Sequence, residues 1–278
     1  MPLLLLGFLG LLALVLLLLP PWWRRLQRQR RMQAPFPAAW RSLLRREWPL
    51  YRRLTPPQQR RLQQLVQVFL AEKPVIGCAG LKVSTAMKVL IAAQACLPLL
   101  GHARGVYPQL NQVLLYPAAF AVQRMHELGA GVQMERRDWL SGESWQQGQV
   151  ILSWQDVLAG ARVPDDGRNV VIHEFAHQLD QAKGRANGAP SLGSREAHAH
   201  WAEVMQAEYR ALKQTLAQGE PSLLDSYAAT DEAEFFAVAS ESFFEQGELM
   251  ARHHPRLYAL LADYYGLQTR HWQTDALG

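Results

Sequence analysis

Residues 169–181, Asn-Val-Val-Ile-His-Glu-Phe-Ala-His-Gln-Leu-Asp-Gln, constrain this chain more than any other stretch. They contain His173-Glu174-Phe175-Ala176-His177, an H-E-x-x-H pattern. On a helix, positions i and i+4 share one face about one turn apart, so His173 and His177 can offer two imidazole nitrogens to a single Zn2+. Glu174 then projects beside the metal, within reach of its water. The helix itself is expected, because Val170, Val171, Ile172, Phe175, Ala176 and Leu179 form an apolar surface and no Gly or Pro interrupts Asn169 to Ala182. The bland alternative, two histidines and a glutamate on a solvated face, lacks the surrounding charge pattern such a face carries.

The chain has 278 residues, 49% of them hydrophobic, enough for one large or two small domains. Cys78 and Cys96 lie far apart with no C-x-x-C spacing and read as buried free thiols of a reducing compartment.

Residues 3–19 are leucine-rich and uncharged. Their length sits at the lower limit for spanning a hydrocarbon core of about 30 Å, and Trp22 and Trp23 extend the stretch as interfacial anchors. A cleaved signal peptide is the competing reading. It wants a positive leading segment and a small-x-small cleavage site, whereas only Met1 and Pro2 precede the stretch and Pro20-Pro21-Trp22-Trp23 follows it. An uncleaved transmembrane helix within residues 1–23 is therefore expected. Arg24, Arg25, Arg28, Arg30 and Arg31 come next, which by the positive-inside rule puts the remainder of the chain in the cytoplasm.

Charge is unevenly spread. Residues 24–61 hold twelve Arg and one acidic residue, Glu47, a net +11; the whole chain is +5 and residues 1–23 are uncharged, so residues 62–278 carry −6. Contact of the segment 24–31 with anionic lipid headgroups fits this cluster. No base-reading or stacking motif accompanies it, so direct nucleic-acid binding is not expected.

Residues 24–37 read as a basic juxtamembrane linker, its last part Met32-Gln-Ala-Pro-Phe-Pro37, with the folded domain over 38–278. Thr55-Pro56-Pro57-Gln58 reads as an N-cap and first turn of a helix through about Glu72. Leu81 to Leu100 reads as a second, more buried helix. The apolar runs Val113–Tyr116 and Val150–Trp154 read as strands. Helices predominate over a small sheet, which makes the class α+β. Val150–Trp154 is expected to be the sheet edge beside the metal helix, where an extended peptide could add as a strand.

A catalytic zinc needs three protein ligands and an open position. The downstream candidates are Glu196, His198, His200, Glu203, Glu234 and Glu241. Asp180 and Lys183 occupy the places where H-E-x-x-H-x-x-G-x-x-H needs Gly and His, so a glutamate from a second helix is expected instead. Glu234 precedes an apolar helix from Phe235 to Phe244, where an ionised carboxylate is costly unless paired or metal-bound. Yet Asp231-x-x-Glu234 also has the form of a capping box, and the residues alone leave ligand and cap equally open. Asp180 and Glu241 are candidates to support the ligands from behind. His198 and His200 read as surface or structural, and His253-His254 before Pro255 as a helix end.

Asn169–Gln181, Tyr227–Phe244 and Ser144–Trp154 together resemble the Mlc titration factor A (MtfA) family of zinc-dependent peptidases, over roughly residues 38–268. The His-Glu-Phe-x-His-x-x-Asp and Tyr-Ala-…-Glu-Phe-Phe-Ala patterns are also similar to the catalytic domain of anthrax lethal factor, a gluzincin. The resemblance implies a zincin-like domain with His173, His177 and Glu234 as ligands of one Zn2+, Glu174 as general base and Tyr227 stabilising the transition state. It also implies aminopeptidase-type cleavage of short peptides. The apolar N-terminus departs from the best-known member, which is soluble.

Two function classes follow. One is a membrane-tethered zinc peptidase. The other is a non-catalytic regulatory protein that sequesters an Mlc-like repressor on a zincin scaffold, relieving repression of sugar-uptake genes; one protein can do both.

Overall fold

The computed structural model describes residues 23, 25–102, 105–127, 133–140, 142–145, 148–181 and 186–272, with backbone alone from 120 to 147. The apolar stretch 3–19 lies outside these residues. Among the described residues no helix is long and apolar enough to cross a membrane.

Helices dominate. Residues 25–33 are helical, followed by α1 (Ala38–Glu47), α2 (Pro49–Arg53) and α3 (Pro56–Glu72). Thr55 caps α3 by accepting from the backbone N–H of Gln58, while the Gln58 side chain accepts from the Thr55 N–H, a closed capping box ahead of Pro56. The expected linker is held to α3: Arg28 donates to both Glu72 carboxylate oxygens at 2.5 and 2.7 Å, and Gln67 donates to the carbonyls of Ala34 and Pro35 at 3.2 Å each.

Four strands form the main sheet in the order β1 (Val75–Gly77), β2 (Gln112–Tyr116), β6 (Gln149–Ser153), β5 (Gly142–Trp145). The first three run parallel, and β5 is antiparallel to β6. A separate antiparallel pair, β3 (Phe120–Glu127) and β4 (Gln133–Leu140), lies between β2 and β5 in sequence.

Two expectations are corrected here. β6 ends at Ser153, because that side chain caps the next helix, α5 (Trp154–Arg162), by accepting from the Asp156 N–H. Nor is β6 an edge: it is paired on both sides, and β5 forms the edge that lies against the metal-motif helix. The Gly-Glu-Ser-Trp sequence of β5 has no apolar alternation to reveal a strand.

α4 (Thr85–Cys96) starts later than expected because Ser84 caps it, and it passes at Leu97–Leu99 into a 3-10 turn. Its residues from Val89 to Cys96 are all buried. α4 packs on α3 on one side and on α6 (Val170–Asp180), the motif helix, on the other. Phe175 anchors α6 there, its ring 4.7 Å from that of Tyr107 and 5.8 Å from that of Phe69. The last layer is α7 (Arg195–Ala217), α8 (Glu232–Glu245), α9 (Gly247–His253) and α10 (Pro255–Tyr265), with α8 packed lengthwise on α6. Both cysteines are free thiols, Cys96 buried and Cys78 only half-buried.

Candidate metal centre

The α6–α8 contact brings the metal motif and the second glutamate helix together. α6 begins at Asn169, whose Oδ1 accepts from the Ile172 N–H, and its apolar residues turn inward, leaving His173 and His177 on the face toward α8. α8 begins at Asp231, whose carboxylate accepts from the N–H groups of Ala233 and Glu234 at 2.9 Å each. No capping box closes: Asp231 alone caps, and the Glu234 side chain points to the histidines. Glu234 Oε2 lies 2.9 Å from His173 Nε2 and 3.5 Å from His177 Nε2. The three groups offer one donor atom each, all within 4.8 Å of one another. Two imidazole nitrogens and a carboxylate oxygen converging on one point is a donor set that fits a zinc ion.

Histidines and carboxylates shift one another's titration here. Burial alone lifts the Glu234 carboxyl, but hydrogen bonds from His173 and His177 outweigh it and bring its pKa to about 2. Burial works against charge on His173, yet Glu234 and Glu241 overcome it and hold the imidazole well above its ordinary range; Glu174 adds to that field. Glu241 Oε1 sits 2.8 Å from His173 Nδ1, behind the ring. With Nε2 turned to a metal, Nδ1–H donates to this carboxylate and fixes the tautomer.

Glu174 is 4% exposed, next to His173 on α6. Tyr227, 53% exposed, stands on a single 3-10 turn, Ser226–Ala229, with its ring 6.0 Å from that of His173. That turn is capped by Asp225, which also pairs with Arg168 at 2.6 Å, so the residue just before the motif helix ties down the turn carrying Tyr227.

Asp180 stands elsewhere. It is buried and accepts from the backbone N–H groups of Asn187, Gly188 and Ala189 at 2.8, 2.7 and 3.0 Å, anchoring the loop after α6 rather than an imidazole. Glu196, His198, His200 and Glu203 are exposed on α7, away from the donor set; His198 faces its own helix start and Glu203 pairs with Arg256. α9 ends at His253, and His254 faces Glu208 at 2.9 Å. Sequence reasoning passed over Arg168 and Asp225, and also the buried polar residues behind Glu241, where Asn169 Nδ2 lies 3.0 Å from both Gln94 Oε1 and Glu245 Oε1. Gln94 had a legible signal, a lone amide in the apolar run Ile91-Ala-Ala-Gln-Ala-Cys96.

Comparison with known proteins matches residues 22–266 to the glucose-regulated metallo-peptidase M90 family. The chain belongs to that family. It is 37% identical over 249 residues to an uncharacterized protein of Synechocystis, covering 89% of this chain and 90% of the relative. It is also 37% identical to Mlc titration factor A of Klebsiella pneumoniae, over 78% of this chain and 82% of that protein. With Mlc titration factor A of Cronobacter sakazakii the identity is 36%, over 88% and 92%. Family membership makes this chain a metallopeptidase homologue over residues 22–266, and among the described residues His173, His177 and Glu234 form a group that could hold the metal.

Proposed function

We propose that this M90 member is a zinc-dependent peptidase acting on short peptides from their N-terminus. The observation that carries the reading is the convergence of His173, His177 and Glu234 beside Glu174. These three side chains would hold one zinc ion. Zinc at that position supplies Lewis acidity, which makes water acidic near neutrality and polarises a carbonyl. Glu174 takes the proton of the attacking water on its carboxylate and passes it to the leaving amine nitrogen. The Tyr227 hydroxyl donates to the carbonyl oxygen as negative charge gathers there. Glu241 holds the proton of His173 Nδ1 away from the reacting side. The free edge of β5 pairs with the extended substrate through backbone hydrogen bonds.

Replacing Glu174 with Gln keeps the shape and removes the base. Hydrolysis of an unblocked tripeptide should fall by about 100-fold to 10,000-fold, with zinc content near one per chain as in wild type. Undiminished turnover in that variant would sink the assignment of the base. N-acetylation of the peptide should abolish cleavage; equal cleavage of blocked and free peptides would exclude aminopeptidase action.

A second reading rests on the relatives named Mlc titration factor A. In it the chain binds an Mlc-like DNA-binding repressor, with or without hydrolysis. Glu174→Gln separates the two: repressor capture that survives the loss of hydrolysis belongs to the scaffold, and capture lost with it requires the intact catalytic site. In both readings residues 3–19 tether the domain to the inner membrane, facing the cytoplasm.

A further inference from the structure

Behind His173 lies a buried polar cluster of which the proposed mechanism uses Glu241 alone. The two oxygens of Glu241 are divided: Oε1 faces His173 Nδ1 at 2.8 Å, and Oε2 accepts the backbone N–H of Asn169. Asn169 is 1% exposed, and its side chain is bonded at both ends. Its Oδ1 accepts the Ile172 N–H at 3.1 Å, while its Nδ2 faces Gln94 Oε1 at 3.0 Å, Glu245 Oε1 at 3.0 Å and the Gly160 carbonyl at 3.1 Å. One residue thus joins the start of α6 to α4, to the end of α5 and to two glutamates one turn apart on α8.

We propose that Asn169 is a positioning residue of the metal centre: it sets the Glu241 carboxylate and, through it, the angle of the His173 ring. This deepens the zinc-site reading and rests on it. The chemistry selects asparagine. An aspartate would keep the cap but replace the amide donor with an oxygen facing the oxygens of Glu245, Gln94 and Gly160. A serine would cap too, but its short hydroxyl cannot also reach α4 and α8. Gly160 belongs to the same arrangement, since a Cβ there would meet the Asn169 Cα and side-chain amide at 3.1–3.2 Å. Asn169 can approach α5 this closely because residue 160 has no side chain.

The test is zinc affinity of the full chain, by competition with a chromophoric chelator, beside the absorption spectrum of the cobalt-substituted protein and the unfolding midpoint of the metal-free form. Asn169→Asp should weaken zinc about tenfold to a hundredfold, the range for partners behind a ligand, and shift the cobalt bands. The double variant Asn169→Asp with Glu245→Gln restores a donor–acceptor pair and should regain most of the affinity. Gly160→Ala should weaken zinc in the same direction while leaving every polar group in place. Unchanged zinc affinity and cobalt bands in Asn169→Asp, with only the unfolding midpoint lowered, would overturn the proposal and leave Asn169 a helix cap. A double variant no better than the single would overturn it as well. If Asn169→Asp does not fold, Gly160→Ala decides: wild-type affinity there overturns the proposal. A wild-type chain that binds no zinc overturns the metal-site reading itself, a result seen before any variant is compared.

Discussion

His173 carries a carboxylate on each side of its ring, Glu234 at Nε2 and Glu241 at Nδ1. Without metal, both nitrogens can donate only as the imidazolium, and the pKa is accordingly raised. A histidine with a folded pKa above its unfolded value of about 6.5 contributes stability that is complete below that pH and lost as pH rises through the folded pKa. Glu234, brought to about 2, contributes stability above the unfolded carboxylate pKa, lost as pH falls toward 2. The metal-free protein should therefore lose stability on the alkaline side of about pH 6.5, by more than a His173→Gln variant does. With zinc bound the trend reverses, because protons compete with metal for Nε2. Thermal unfolding from pH 5 to pH 9, with and without zinc, measures both; parallel curves for wild type and His173→Gln would show that His173 does not titrate as its surroundings require. The motif residues of this site were legible because their spacing on a helix is their chemistry. Asn169 was not, since an asparagine at a helix start has the same sequence signature whether it caps alone or also spans three other elements.

Elements meet this site through a loop. Residues 187–189 lie between α6 and α7, and Asp180 holds them with three backbone hydrogen bonds. Gly188 has φ +74, a left-handed conformation that favours glycine, and a Cβ there would come 2.3 Å from the Glu232 carbonyl oxygen. Its own carbonyl accepts from Trp201 Nε1 at 2.8 Å. The loop is thus wedged against the first turn of α8, two residues before Glu234. Gly188→Ala should cost about 1 kcal/mol in backbone strain alone, more with the clash, lowering the unfolding midpoint by at least about 3 °C and weakening zinc. An unchanged midpoint would mean that the loop shifts freely and does not set α8. Sequence reading found the elements whose signals are local: Thr55-Pro56 at the start of α3, the apolar runs of β2 and β6, and the metal helix. It missed what partners decide. β5 is a strand only because the β6 backbone pairs with it, and Asp180 meets its loop across residues that no spacing rule connects.

At the scale of the molecule, charge and site are separate. The net +11 of residues 24–61 is offset by −6 beyond them. Glu47, the one acid in the basic segment, is already engaged by Arg46 and Arg162, and Arg28 is engaged by Glu72. Arg25, Arg30, Arg31, Arg41, Arg45, Arg46, Arg52 and Arg60 are exposed. Since the helix over 25–33 is clamped to α3, these arginines travel with the peptidase domain, and a surface that attracts them also restrains the domain. A chain lacking residues 1–22 should therefore bind vesicles containing phosphatidylglycerol and ignore neutral phosphatidylcholine. Salt should release it, because the screening length shrinks from about 10 Å at 0.1 M to about 3 Å at 1 M. Co-sedimentation across that range, with duplex DNA as competitor, is the measurement. Equal binding to both vesicle types would assign the contact to apolar groups such as the exposed Trp23, and release by DNA at low occupancy would assign the arginines to nucleic acid. Release by salt alone would make the basic segment an electrostatic membrane contact that belongs to the domain itself and does not depend on the apolar stretch.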